Sequence, residues 1–381
     1  MERNRIDMVM LVTTLLLVGI GAVMIYSASF VVAEEMFNGD SSFFLKRHVV
    51  RASLGICLLV LFIHLDYRNL RRFSLLLLGI GLVLLLLLFV PGLGLAIRGA
   101  TRTLKILVSF QPAEYMKVAL VIFLAHWLDK HQDVIKKFVP GLLPCLIITG
   151  IPFILIALQP DYGTALALGT TAAIMLFLGR VKKSHLLSVA LTAIPFISAT
   201  LYMSPHSRQR IMTYLERLFG DGQAIVQGPD YQLYQSLISL GTGGFFGTGL
   251  GQSRQKFLFL PDPHTDFVFA VIGEEIGFVG SAAVLSLFLI LAWRGIRIAR
   301  HSADTYGFFL ASGLTALISL HVFINVGVVT GLLPTTGLPL PFISYGGSWL
   351  LFCMIAIGIM LNISRSTTRS RRMQYEFTGG E

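Results

Sequence analysis

The residue in this chain best placed to move a proton is an aspartate at the head of an apolar run. His264-Thr265-Asp266 closes a long polar segment, Ser204 to Thr265, and from Phe267 onward the chain is hydrophobic enough to cross a membrane. A carboxylate in that position can act as a general base. It can equally cap the helix start, where backbone N–H groups and the helix dipole favour negative charge. Glu274 lies roughly 12 Å deeper along a helix axis, too far to share a proton with Asp266. Glu274 and Glu275 still need partners inside an apolar segment, and Lys117 is the nearest match in type.

A second polar group descends into another run. Arg98, Arg102 and Lys105 are followed by Gln111, Glu114 and, about one turn further in, Lys117. Arginine and lysine at such a site suit phosphate oxygens of an anionic head group. Glu114 and Lys117, three residues apart on one helical face, can instead neutralise each other. Gln159-Pro160-Asp161-Tyr162-Gly163-Thr164 joins two apolar runs by a tight turn, with Asp161 either a helix cap or a site residue.

Within the long polar segment, Ile211, Leu215, Leu218 and Phe219 recur at helical spacing among Arg208, Arg210 and Arg217, as in a helix lying on a bilayer surface. Gln232 and Ser236 follow as secondary candidates. The glycines from Gly241 to Gly251 permit close approach of main-chain N–H groups to a ligand, although a flexible linker has the same composition.

These residues need a scaffold, and composition says which. Of 381 residues, 55% are hydrophobic and only 13% charged, too little polar surface to coat a soluble globule. A helix crosses the roughly 30 Å hydrocarbon core with about 20 residues. Apolar runs occur at Met8 to Val32, Ala52 to Leu65, Phe73 to Val90, Tyr115 to Leu128, Gly141 to Leu158, Gly163 to Gly179, Ser184 to Met203, Phe267 to Trp293, Tyr306 to Leu333 and Pro341 to Ile363. The second and fourth are short and must borrow flanking residues. The expectation is an all-α polytopic membrane protein of about ten transmembrane helices, forming one membrane domain over residues 1–381. A large extracellular loop, 204–265, lies between helices 7 and 8, and a cytoplasmic tail covers 364–381. Leu-rich unbroken runs exclude a membrane barrel, which would alternate polar and apolar residues. The first run is too long for a signal-peptide core and is kept as a helix.

Basic residues set the orientation. With the N-terminus in the cytoplasm, Arg68, Arg71, Arg72, Lys136, Lys137, Arg180, Lys182, Lys183 and the C-terminal arginines fall on the inner side, and the opposite short loops hold far fewer. The net charge of +10 therefore reads as that bias together with attraction to anionic membrane lipid. It is spread over loops and not gathered on one face, which argues against nucleic acid as a partner. Cys57, Cys145 and Cys353 fall in different runs with no CxxC spacing, so neither a disulfide framework nor a zinc site is indicated.

Several stretches together carry a resemblance that covers essentially the whole chain. Ile25-Tyr26-Ser27-Ala28-Ser29, Gln111-Pro112 to Lys117, Gln159-Pro160-Asp161, Ser253-Arg254-Gln255-Lys256, Leu260-Pro261, His264-Thr265-Asp266-Phe267, Ile272-Gly273-Glu274-Glu275, Asn325-Val326-Gly327, Gly331-Leu332-Leu333-Pro334 and Gly337 to Gly347 are similar to the SEDS family (shape, elongation, division and sporulation) of bacterial cell-wall polymerases. The Ser253 to Lys256 and Ile272 to Glu275 stretches resemble its division and sporulation branch more than its elongation branch.

The resemblance implies polymerisation of lipid II into glycan strands at the outer face of the cytoplasmic membrane, with Asp266 as the catalytic carboxylate. A sugar 4-hydroxyl is a poor nucleophile until its proton is drawn off, and Asp266 would take it. The diphosphate leaving group is weakly basic, so no general acid is required of the protein, unlike the two-carboxylate hydrolases. Arg102, Lys117, Arg210 and Lys256, or a divalent cation (Mg or Mn) held with Asp266, would stabilise the departing charge. By the same resemblance Glu114 belongs to the site. His264 enters with the motif that carries Asp266, and Ser344, Tyr345 and Gly346 line the site from the loop before the last helix. The implied partners are a class B penicillin-binding protein, which is a transpeptidase, and other division proteins. No SxxK or KTG motif in this chain encodes crosslinking.

The chain departs from the family pattern at Thr101 and Thr103, flanking Arg102, and at Trp349, where a small residue is usual; the last implies altered packing of the final helix. Two other classes fit a many-helix protein with a head-group cavity: a transporter that flips lipid II, and a silent scaffold for division proteins. A transport path would be lined with ionisable residues throughout, whereas here they cluster towards one face.

Overall fold

The computed structural model describes residues 6–97, 100–105, 109–189, 191, 205–219, 229–254, 260–261 and 263–378. Helices dominate: α1 (Met8–Met36), α2 (Phe43–His64), α3 (Tyr67–Leu87), α4 (Pro112–Lys130), α5 (Leu143–Leu158), α6 (Tyr162–Leu178), α7 (Pro205–Phe219), α8 (Pro229–Gly243), α9 (Val268–Arg300), α10 (Thr305–Val329) and α11 (Gly347–Thr378). A π-helical turn, Phe138–Leu142, leads into α5.

Among the described residues, seven helices are long and apolar enough to span a membrane: α1, α2, α3, the segment Phe138–Leu158, α9, α10 and Gly347–Ser366 of α11. The helix α6 is apolar but shorter. Of the expected span Ser184 to Met203, most lies outside the described residues.

Local chemistry explains where the helices begin. Asp7, Asp66, Asp161 and Asp304 each accept a hydrogen bond from a backbone N–H in the first turn of α1, α3, α6 and α10. The helix α2 takes in Phe43 to Arg51, flanking residues that the short run Ala52 to Leu65 needed in order to span. The last helix begins at Gly347 and not at Pro341, because Phe342 has φ of 64° and the chain before it is irregular.

One expectation is corrected. The chain is not wholly helical: β1 (Gly94–Ile97), β2 (Ala100–Lys105) and β3 (Ser109–Phe110) form a three-stranded antiparallel sheet in the order β1-β2-β3. Alternating Thr101, Arg102, Thr103 and Leu104 suits a half-buried strand, and Leu104 points into the protein.

Two helices form the centre. Most residues of α4 from Ala113 to Ala125 are buried, and α10 is buried around most of its circumference. A helix with no exposed face is a core helix; α4 packs on α3, α6 and α10, and α11 packs along α2. One end of the bundle gathers the start of α1 and the ends of α9 and α11: Arg294 pairs with Asp7 at 2.5 Å, and Asp7 donates its N–H to Ser364 Oγ at 3.1 Å. Asp266 sits at the other end of α9.

Candidate active site

Asp266 precedes α9 by two residues and is half-buried. Its main chain is fixed by Asn325, whose Nδ2 donates to the Asp266 carbonyl at 2.7 Å and to the Leu338 carbonyl at 2.8 Å. The segment after α10 thereby closes on Asp266. A Cβ placed on Gly337 would lie 3.5 Å from Asp266 Oδ2, so this bend, φ of 76° at Gly337, faces the carboxylate.

The residues on either side are immobilised in the same way. Tyr345 donates its N–H to the His264 carbonyl at 2.8 Å. The His264 ring lies 4.4 Å from the Phe44 ring and 5.6 Å from that of Tyr345. Burial pushes the His264 imidazole down to about 4, so it is neutral at physiological pH. Ser344 closes a turn on itself, its Oγ accepting from the Leu340 N–H at 2.8 Å, and Gly346 donates to the Ser344 carbonyl. Arg51 of α2 stacks its guanidinium over the Tyr345 ring at 4.8 Å.

A cavity of about 150 Å³ lies beyond Thr336, the residue before Gly337. Arg102 and Arg210 both line it, with Asp161, Pro160 and the Pro334–Thr336 stretch. Arg102 reaches it from β2 and donates to the Gln159 and Pro160 carbonyls, with Asp161 Oδ1 3.9 Å away. Asp161 also caps α6 through the Thr164 N–H and accepts from Gln111 Nε2 at 3.4 Å. Arg210 of α7 donates to the Thr335 carbonyl at 3.2 Å. Two guanidiniums facing one cavity suit an anion; the carboxylate in its lining is Asp161, and Asp266 faces Gly337, the residue after Thr336.

Lys117 and Glu114 do not line that cavity. Lys117 is 1% exposed, with Nζ 2.7 Å from Glu114 Oε2, 2.8 Å from His321 Nε2 and 4.0 Å above the Trp349 ring. His321 stands one turn before Asn325 on α10, and its ring stacks on Trp349 at 4.1 Å. His321, four residues before the motif residue Asn325 inside an apolar helix, is the polar signal in the sequence that marks this cluster.

The expected partner of Glu274 is overturned. Lys117 pairs with Glu114, and Glu274 accepts instead from Ser253 Oγ at 2.6 Å and the Arg254 N–H at 2.7 Å. Glu275 accepts from Ser27 Oγ at 2.7 Å, which ties α1 to α9. The glycine-rich stretch packs here: the N–H groups of Thr248 and Gly249 donate to the carbonyls of Glu274 and Glu275, left open where α9 breaks at Gly277, φ of 71°. A Cβ at Gly247 would come within 2.2 Å of the Glu275 carbonyl oxygen. Close approach within the protein accounts for Gly243 and Gly247, and positive φ for Gly244, Gly249 and Gly251.

Of the remaining candidates, Ser236 Oγ donates to the Val329 carbonyl at 2.8 Å. Gln232 is half-buried on α8, and Lys256 lies outside the described residues. Among the described residues no three His, Cys, Asp or Glu side chains gather to hold a metal ion.

The architecture is thus that of a polytopic helical membrane protein with Asp266 at one end of α9 and a cavity lined by two arginines and Asp161. The chain belongs to the cell cycle protein family of FtsW, RodA and SpoVE, which it matches over residues 7–369. It is 42% identical to stage V sporulation protein E of Bacillus subtilis, over 94% of this chain and 97% of the relative. It is 40% identical to a probable peptidoglycan glycosyltransferase FtsW of Geobacter sp. (strain M18), over 94% and 96% of the two. Among solved structures it resembles a chain of a peptidoglycan synthase complex that coordinates polymerization and crosslinking, with a TM-score of 0.76, 26% identity and 95% and 98% coverage. It also resembles the rod shape determining protein RodA of Thermus thermophilus, with a TM-score of 0.69, 28% identity and the same coverage.

Proposed function

We propose that this chain is a peptidoglycan glycosyltransferase that polymerises lipid II at the outer face of the cytoplasmic membrane, with Asp266 as general base. The observation that carries the reading is Asp266 itself: a half-buried carboxylate whose backbone is anchored by Asn325, facing the Gly337 bend whose preceding residues, Pro334 to Thr336, line a cavity shared by Arg102 and Arg210. The relatives named peptidoglycan glycosyltransferase support the reaction class.

In the reaction, the 4-hydroxyl of one disaccharide unit attacks the anomeric carbon of another that bears undecaprenyl diphosphate. The new C–O bond forms as the bond to the diphosphate breaks, the hydroxyl proton passes to Asp266, and the electron pair leaves on the diphosphate. Arg102 and Arg210 stabilise that charge where water is scarce. Lys117, enclosed by Glu114, His321 and Trp349, acts by holding α4, α10 and α11 together behind Asp266. A lipid II transporter is less well supported, because α4 is apolar from Val118 to Ala125 and offers no ionisable lining there.

By the basic-residue bias both termini are cytoplasmic, which puts Asp266 outside. The partners we assign are a class B penicillin-binding protein and other division proteins, at the septum; the resemblance to a chain of a synthase complex supports a crosslinking partner.

The experiment is polymerisation of labelled lipid II by the purified chain with its transpeptidase. Asp266→Asn, inserted and still bound to its partner, loses turnover by about 10²-fold or more; near-wild-type chain formation by that variant removes Asp266 as the base.

A further inference from the structure

We infer that Tyr214 and Arg217 are positioning residues for the glycosyl transfer: with Arg210 they make α7 a strap that holds the loop packed against Asp266. This rests on the catalytic reading of Asp266 above. The three residues fall at i, i+4 and i+7, on one face of α7. Each donates a side-chain hydrogen bond to a backbone carbonyl of the stretch after α10, and they do so in antiparallel order. Arg217 Nη2 bonds the Gly331 carbonyl, Tyr214 Oη the Leu332 carbonyl at 2.8 Å, and Arg210 Nη1 the Thr335 carbonyl at 3.2 Å.

The Arg217 guanidinium also lies 5.4 Å from the Tyr214 ring, so the two brace each other. Gly331 is shaped for this contact: its φ is 76°, and a Cβ there would meet Arg217 Nη1 at 3.2 Å. Two residues beyond Thr335, Gly337 faces Asp266, a Cβ built on it lying 3.5 Å from Oδ2, and Asn325 ties the next residue's carbonyl, that of Leu338, to the carbonyl of Asp266.

The strap therefore acts on the carboxylate through the loop, without touching substrate at Tyr214 or Arg217. On the other side of the helix, Met212, Leu215 and Phe219 are exposed and make none of these bonds. A shift of the Gly331–Gly337 stretch displaces the wall against which Asp266 is set. Misplacement of about 1 Å far from the chemistry can cost roughly 10²-fold in rate.

The test uses the full chain with its transpeptidase in lipid nanodiscs. A nitroxide is attached at Leu332→Cys in a Cys57→Ser background, Cys145 and Cys353 being buried. Tyr214→Phe combined with Arg217→Ala is expected to mobilise the label and to lower kcat about ten- to hundred-fold while KM for lipid II stays within about two-fold. Tyr214→Phe alone, which removes one hydroxyl, gives a smaller change in the same direction, and Met212→Ala leaves both readouts unchanged.

A label that stays fixed in the double variant shows that the strap does not hold the loop, and a mobile label with unchanged kcat shows that the loop does not serve Asp266; either overturns the inference. So does a parallel fall in kcat and rise in KM with a lowered melting midpoint, which marks a purely structural role. An active Asp266→Asn sinks the catalytic reading instead, and is told apart because the label responds to Tyr214 and Arg217 whatever the turnover.

Discussion

Lys117 and Trp349 form a cation–π pair deep in the bundle, with Nζ 4.0 Å from the ring centroid. The ring lies against an ammonium already in contact with Glu114 and His321, and Lys117 is buried. A desolvated cation–π contact contributes about 2 kcal/mol, and emptying the ring's volume costs a further amount, so Trp349→Ser should destabilise the chain by about 3–5 kcal/mol. Trp349→Phe keeps a π-face and should lose less than half of that. Thermal midpoints of the detergent-solubilised variants check the order; equal midpoints for Ser and Phe would remove the cation–π term.

Gly247 touches the break in α9. A Cβ there meets the Glu275 carbonyl oxygen at 2.2 Å, and its φ of 81° is unfavourable for any L side chain. Gly247→Ala must therefore move the loop away from the carbonyls of Glu274 and Glu275, at a cost of at least about 1–3 kcal/mol. The expected result is faster proteolysis within residues 243–254 and a lower midpoint. Gly241→Ala, with open space around its Cβ, is the control that should change neither.

Arg102 and Arg210 reach one cavity from β2 and from α7. If both guanidiniums meet the same diphosphate, their removal is not additive. Arg210→Ala and Arg102→Ala should each lower kcat/KM for lipid II about ten-fold or more, and the double variant should fall short of the product of the two. Arg210→Lys, which keeps charge but loses the planar fork, should restore binding only in part. Steady-state kinetics on lipid II at fixed salt reads all four values; strict multiplicativity would separate the two residues.

The parts of this structure that local chemistry decides were legible in the sequence. Asp161 was read as a candidate helix cap, and it caps α6 because its side chain needs only the Thr164 N–H three residues on. The helical spacing around Ile211 and Leu215 marked α7 correctly. What escaped was set by distant parts of the chain. The sheet over residues 94–110 hid in a stretch read for its charges, since two or three short strands have little periodicity of their own. The partner of Glu274 is not legible as a charge match, because Ser253 is uncharged and becomes a neighbour only when the glycine-rich stretch folds back on α9. The strap from Tyr214 and Arg217 binds backbone carbonyls, which every residue has, so no side-chain pattern announces it.

His264 gives the site a pH dependence of known sign. It lies between Phe44 and Tyr345, and burial lowers its folded pKa to about 4 against about 6.5 when unfolded. A base with a depressed folded pKa binds more protons in the unfolded state. Its contribution to stability is therefore complete above about pH 6.5 and is lost as the pH falls towards 4. At lower pH the imidazole must either carry a buried charge or leave the Phe44–Tyr345 packing, and its exit would release the His264 carbonyl from the Tyr345 N–H two residues before Asp266. His264→Phe, which keeps an aromatic ring in the slot and cannot titrate, is expected to flatten the fall in thermal midpoint between pH 6.5 and 4 relative to the parent chain. Carboxylates common to both proteins titrate in the same range and cancel in the difference. Identical slopes for parent and variant would mean that His264 is not held neutral by its burial.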